Sequence, residues 1–154
     1  MQLNLGCGSA LIPGWINIDK APTCDSVTKL DLNNKWPWAD GSVELITISH
    51  MLYSMTKAQR YHILSACYRV LKLAEGFLRI TEDDYACPAC KWHNGMPLDA
   101  TEPLFKSEIK NMLQAVGFMV IQEMDPSETM SDNVMILQHR HANPPATFFV
   151  EAAK

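Results

Sequence analysis

At 154 residues, 47% apolar and 19% charged, the chain has the composition of one folded domain rather than a disordered segment. A net charge of −4 excludes a general grip on nucleic acid, and no apolar run is long enough for a membrane span. The five cysteines, at 7, 24, 67, 87 and 90, are an odd set that fits reduced thiols better than a disulfide framework; with no signal-like N-terminus, a cytoplasmic location is expected.

Four short strand-like runs come first: Gln2–Leu5, Trp15–Asp19, Ser26–Leu32 and Val43–Ser49. The period then changes. In "TKAQRYHILSACYRVLK", Tyr61, Leu64, Cys67, Tyr68 and Leu71 share one helical face, and Thr56 with Gln59 reads as a capping box. Phe77–Thr81 is the next strand. Residues 82–104 read as a proline-rich loop, long enough to imply a functional segment on the substrate side. A second helix follows, with Ile109, Met112, Leu113 and Val116 on one face and Gly117 as its stop. "FMVIQEM" and "NVMILQH" read as closing strands. The expected organisation is one domain over residues 1–141 with a C-terminal tail, 142–154, broken by Pro144-Pro145.

This order predicts an α/β fold, a Rossmann-like and mostly parallel sheet of about seven strands. The first three connections are too short for proper crossover helices, so the early helices are expected to be reduced or missing. A strand ending in Gly6-Cys7-Gly8 lets a ligand approach bare backbone. Asp19, ending the second run, stands where an acid takes ribose hydroxyls, and Asp31 ends the third run beside the same sheet edge.

The segments "LNLGCGS", "IPGWINID", "WPWADGSVELITISHML", "YRVLK" and "EGFLRI" resemble the class I S-adenosylmethionine-dependent methyltransferases, in the group with an L-x-L-G-C-G opening. The resemblance runs over residues 3–81 and continues more weakly through "LFKSEIKNMLQAVGF". It implies S-adenosylmethionine as cofactor. Gly6, Cys7 and Gly8 would meet its methionine end, Asp19 the ribose, Asp31 and Leu32 the adenine, and Ser49 and His50 the sulfonium. Asn4 departs from an acidic residue common in relatives, and "HMLYS" puts Tyr53 and Ser54 in place of Glu and His.

The activity so implied is methyl transfer to an unidentified acceptor by in-line displacement, with His50 as the candidate base. A cofactor-binding protein without turnover is the alternative. A nicotinamide oxidoreductase is disfavoured because Leu11 takes the third glycine position of G-x-G-x-x-G. Glu82, Asp83 and Asp84 follow the fifth strand at the rim, where they read either as groups that orient an acceptor or as a solvated acidic turn. Cys87, Cys90 and His93 have zinc-like spacing, but four ligands would need His139 or His141, so no metal is assigned. Trp36 and Trp38 read as loop packing. Finally, Leu3, Leu5, Ile16, Ile18, Leu78 and Ile80 alternate with polar residues, which suggests a thinly covered sheet face. Trp15 and Phe77 fall on that face, which could be wet, covered by the "TFFV" tail or buried against a second copy; of these a homo-oligomer, as a homodimer through the face, is expected.

Overall fold

The computed structural model describes residues 1–88, 101–132 and 146–154. Its strands are β1 (Gln2–Leu5), β2 (Ile16–Asp19), β3 (Val27–Lys29), β4 (Leu45–Ser49), β5 (Phe77–Asp83), β6 (Val120–Glu123) and β7 (Thr147–Ala153). They form one sheet in the order β3-β2-β1-β4-β5-β7-β6. Every pairing is parallel except the two made by β7, which runs antiparallel between β5 and β6.

That last strand differs from the expectation of a tail after residue 141. Phe148, Phe149 and Val150 are buried on both sides of β7, so the run carries no alternation to mark it as a strand. The expected strand "NVMILQH" lies outside the described residues.

Among the described residues two α-helices cross between strands. α1 (Lys57–Val70) begins at the expected capping box: Thr56 Oγ1 accepts from Gln59 N at 3.3 Å, and Gln59 Oε1 from Thr56 N at 2.9 Å. Its buried face is Arg60, Ile63, Leu64, Cys67 and Val70, rotated from the expected one, and Tyr61 is 43% exposed. α2 (Lys106–Val116) buries Ile109, Met112 and Leu113 and stops at Gly117, whose φ is 121°. No helix among the described residues lies in the connections from β1 to β4, as their lengths predicted.

Strand register divides the sheet into two unlike faces. On one, the rows Leu3–Ile46–Leu78–Ala152 and Leu5–Ile48–Ile80–Val150 are apolar and join one core with Ile63, Leu64, Ile109 and Leu113 of the helices. On the other, the row between them reads Asn17–Asn4–Thr47–Arg79–Glu151, all buried. Arg79 pairs with Glu151 at 2.6 Å. The chain after β6 crosses this face, with Arg79 donating to Glu128 O (2.8 Å) and Met130 N to Glu151 Oε2 (2.6 Å). Trp15 and Phe77 pack here with Ile12 and Leu45 instead of standing open. That packing removes the exposed aromatics that motivated a homodimer.

Candidate functional site

The site is built at the carboxyl ends of β1, β2 and β4. After Leu5 the chain turns through Gly6 (φ 63°) and Gly8 (φ 50°), a left-handed region where a side chain is strained. A Cβ on Gly6 would meet Met51 Cγ at 2.6 Å, so the bare backbone is needed sterically as well. The turn is fixed from below by two buried amides. Asn4 Nδ2 donates to Ala10 O (2.8 Å) and Asn17 Oδ1 (2.9 Å), and Asn17 Oδ1 also accepts from Ile12 N.

Asp19, at the end of β2, accepts from Gly8 N through Oδ2 (2.8 Å) and from Ala21 N through Oδ1 (2.9 Å). It therefore orients the glycine turn while facing the hollow beside it. β3 ends at Lys29, earlier than expected, which leaves Asp31 and Leu32 on the following turn. Asp31 is exposed; Asn33 donates to it through backbone and side chain, holding its carboxyl below the usual range and hence charged at neutral pH. Trp36 Nε1 donates to Leu32 O at 3.0 Å and packs edge-on against Trp38, which anchors this turn.

Beyond β4 the chain turns at His50, a non-glycine residue at φ 49°, whose N–H donates to Thr81 O at 2.9 Å. Backbone held in this region costs about 1–3 kcal/mol and persists where surroundings enforce it. A cavity of about 220 Å³ opens between these turns, lined by Gly6, Asp19, Asp31, Leu32 and His50 together with Met51.

No family model matches the chain, and no curated protein matches it in sequence. Solved structures match its fold. An S-adenosylmethionine-dependent methyltransferase of Archaeoglobus fulgidus superposes with a TM-score of 0.70 at 19% identity, covering 99% of this chain and 85% of that one. One from Thermotoga maritima gives 0.71 at 14% identity, covering 98% and 80%. A methyltransferase of Haloferax volcanii, in complex with the Trm112 activator, gives 0.63 at 17% identity, covering 99% and 81%.

The chain has the class I S-adenosylmethionine-dependent methyltransferase fold.

Within this methyltransferase fold, five of the eight residues expected at the cofactor site line one cavity. The other three are not among its lining residues. Cys7 is buried, Gly8 spends its N–H on Asp19, and Ser49 is buried at the end of β4. Sequence reading missed Lys20, Leu30, Asn33, Met51, Ser54, Met55 and Gln59 as lining residues. Met51 and Ser54 fall in "HMLYS" and Gln59 in the capping box, but neither motif points to a cavity wall, and Lys20, Leu30, Asn33 and Met55 carry no motif. Cys90, His93, His139 and His141 lie outside the described residues, so the zinc-like spacing has no structural counterpart to report; among the described residues no three ligand-type side chains cluster.

Glu82 is the largest departure from expectation. It sits within β5, fully buried, and not on a rim turn. Burial is the main reason its carboxyl is pushed up to about 8, so it is protonated at neutral pH. A larger groove of about 970 Å³ lies between α1 and α2, with Tyr61, Phe105 and Met112 on its walls. Its charges are spent on one another, as in the Lys57–Glu108 pair at 2.8 Å, and it shares no lining residue with the cavity beside the glycine turn.

Proposed function

We propose that the chain is a methyltransferase that uses S-adenosylmethionine and passes its methyl group to an acceptor not yet identified. The observation that carries this reading is the convergence of the Gly6 turn, Asp19, Asp31 and His50 on one cavity. At about 220 Å³ it is smaller than a typical pocket of roughly 300–1,000 Å³, which suits the adenosyl half. Met55, also on its wall, is an adaptable side chain that can yield.

When bound, S-adenosylmethionine would supply a methyl group on a positive sulfur, open to in-line attack. The chain's own residues bind, align and exclude water. Asp19 takes the ribose hydroxyls with the lone pairs its two backbone donors leave, and Asp31 and Leu32 flank the adenine. The Gly6–Gly8 backbone and Ser49 border the rest of the cofactor. His50, held in its strained turn on the cavity wall, is placed to remove a proton from a hydroxyl or amine acceptor. Alignment of this kind supplies much of the barrier reduction in group transfer.

No helix among the described residues is long and apolar enough to cross a membrane, and Cys24 and Cys67 are free thiols. A reducing, cytoplasmic setting suits such a chain.

Calorimetry with S-adenosylmethionine, S-adenosylhomocysteine and NAD tests the binding reading. The expected result is saturable binding of the first two, abolished by Asp19→Ala, with no heat from NAD. Absence of binding would refute it. Methyl transfer to a panel of acceptors then tests turnover, where His50→Ala is expected to lower rate far more than cofactor affinity. Binding without transfer to any acceptor would favour the non-catalytic alternative.

A further inference from the structure

Two buried ionisable side chains outside the cavity grip the turn that forms its wall. Glu82 Oε1 accepts from both Met51 N (2.8 Å) and Leu52 N (2.6 Å). From the other side, Arg60 Nε donates to Leu52 O at 2.9 Å. Arg60 then reaches further: Nη2 donates to Glu102 O (2.7 Å), and Nη1 to Pro103 O (3.0 Å) and Glu108 Oε2 (3.3 Å). Both side chains are 0% exposed, and Glu82 Oε2 is buried without a partner. A polar atom in that state is costly, and a fold chosen for stability alone would fill the space with an apolar side chain.

The gripped turn carries the contacts that shape the cavity. His50 precedes it in a left-handed conformation, Met51 presses on Gly6, and Ser54 and Met55 follow on the wall. Arg60 also ties this turn to residues 102–103 at the entry to α2, the end of the segment read as substrate-side loop.

We infer that Glu82 and Arg60 are positioning residues for the cofactor cavity, clasping the Met51–Leu52 backbone from opposite sides so that His50 and Met51 stay set against the glycine turn. The inference rests on reading that cavity as the S-adenosylmethionine site. Three charged neighbours bear on the clasp: Asp83 on the same strand opposes ionisation of Glu82, Arg60 from α1 favours it, and Glu108 from α2 pairs with Arg60. Near neutrality Glu82 is a neutral acid accepting two N–H groups. Ionisation above about pH 8 places a buried negative charge behind the turn.

The test is calorimetric titration of S-adenosylhomocysteine at pH 6.5 and pH 9 into wild type, Glu82→Gln and Arg60→Lys, with folding checked by circular dichroism. Wild type is expected to bind about tenfold more weakly at the higher pH than Glu82→Gln does, after matching at the lower. The probe's own amine contributes equally to both proteins. Arg60→Lys, whose single ammonium cannot serve Leu52, Glu102 and Pro103 together, is expected to lose about tenfold in affinity while remaining folded. A merely structural role would lower the melting temperature and leave the folded protein's affinity unchanged. Equal pH ratios for wild type and Glu82→Gln, or Arg60→Lys binding within twofold of wild type, would overturn the inference. Failure of wild type to bind the probe at either pH would instead overturn the functional reading, and the inference with it.

Discussion

Asn4→Asp is the most informative single change, because it restores an acid common in the methyltransferases this sequence resembles. In this chain the Asn4 amide, 4% exposed, is a donor to two oxygens, Ala10 O and Asn17 Oδ1. A carboxylate cannot donate to either and would face both. Two net hydrogen bonds are worth roughly 2 kcal/mol, while Asn17 Oδ1 keeps its bond from Ile12 N. The expected loss is therefore about 2 kcal/mol at neutral pH, a large share of a stability of roughly 5–15 kcal/mol. Burial against acceptors raises the folded-state pKa of the introduced carboxyl. The penalty is then smallest below its unfolded value, about 3.9, and grows as pH rises. Urea unfolding of variant and wild type at pH 4.5 and 7.5 measures the difference at each pH. A variant as stable as wild type at pH 7.5, or one hurt more at pH 4.5, would refute the reasoning.

Glu82 makes a second pH signature in stability itself. Its folded pKa, raised to about 8 chiefly by burial, means that stability is full below the ordinary glutamate range and is lost as pH rises to about 8. Glu82→Gln should flatten that part of the profile in urea melts; an unchanged slope would remove Glu82 as its source. Gly6→Ala is expected to cost about 1–2 kcal/mol for the left-handed backbone, plus the displacement of Met51, and to weaken S-adenosylhomocysteine binding by tenfold or more. Thermal melts with calorimetry check both. Among the described thiols, exposed Cys24, lowered chiefly by its hydrogen bond with Ser26, should alkylate first, while buried Cys67, pushed up by burial, should resist; peptide mass spectrometry reads the order.

What could be read beforehand follows from how local each signal was. The capping box at Thr56, the Gly117 stop and the acid ending β2 each depend on residues a few positions apart, and each stands in the structure as the spacing implied. Features set by distant partners were hidden. Arg60 is buried because its acceptors include Glu102 and Pro103, more than forty positions away, and nothing near it in sequence announces them. That choice turned α1 so that Tyr61, the expected core residue, faces outward. Glu82 read as a solvated turn because a charged residue after "FLRIT" ordinarily ends a strand; its burial depends on the Met51 and Leu52 amides. β7 was lost for a different reason. It lies between two strands with both faces covered, and Pro144-Pro145 just before it imitates the start of a loose end.

The two sides of the sheet also imply different tolerance to change. Between sheet and helices, one aliphatic side chain can replace another of similar bulk with modest loss. Across the opposite side, the Asn17–Asn4 and Arg79–Glu151 links depend on directional partners, and a swap at either end strands its mate. A chain that dispenses with its early helices has thereby exchanged a forgiving interior for an exacting one. Random substitution should find its lethal positions concentrated among these few polar links, more than among the many leucines and isoleucines.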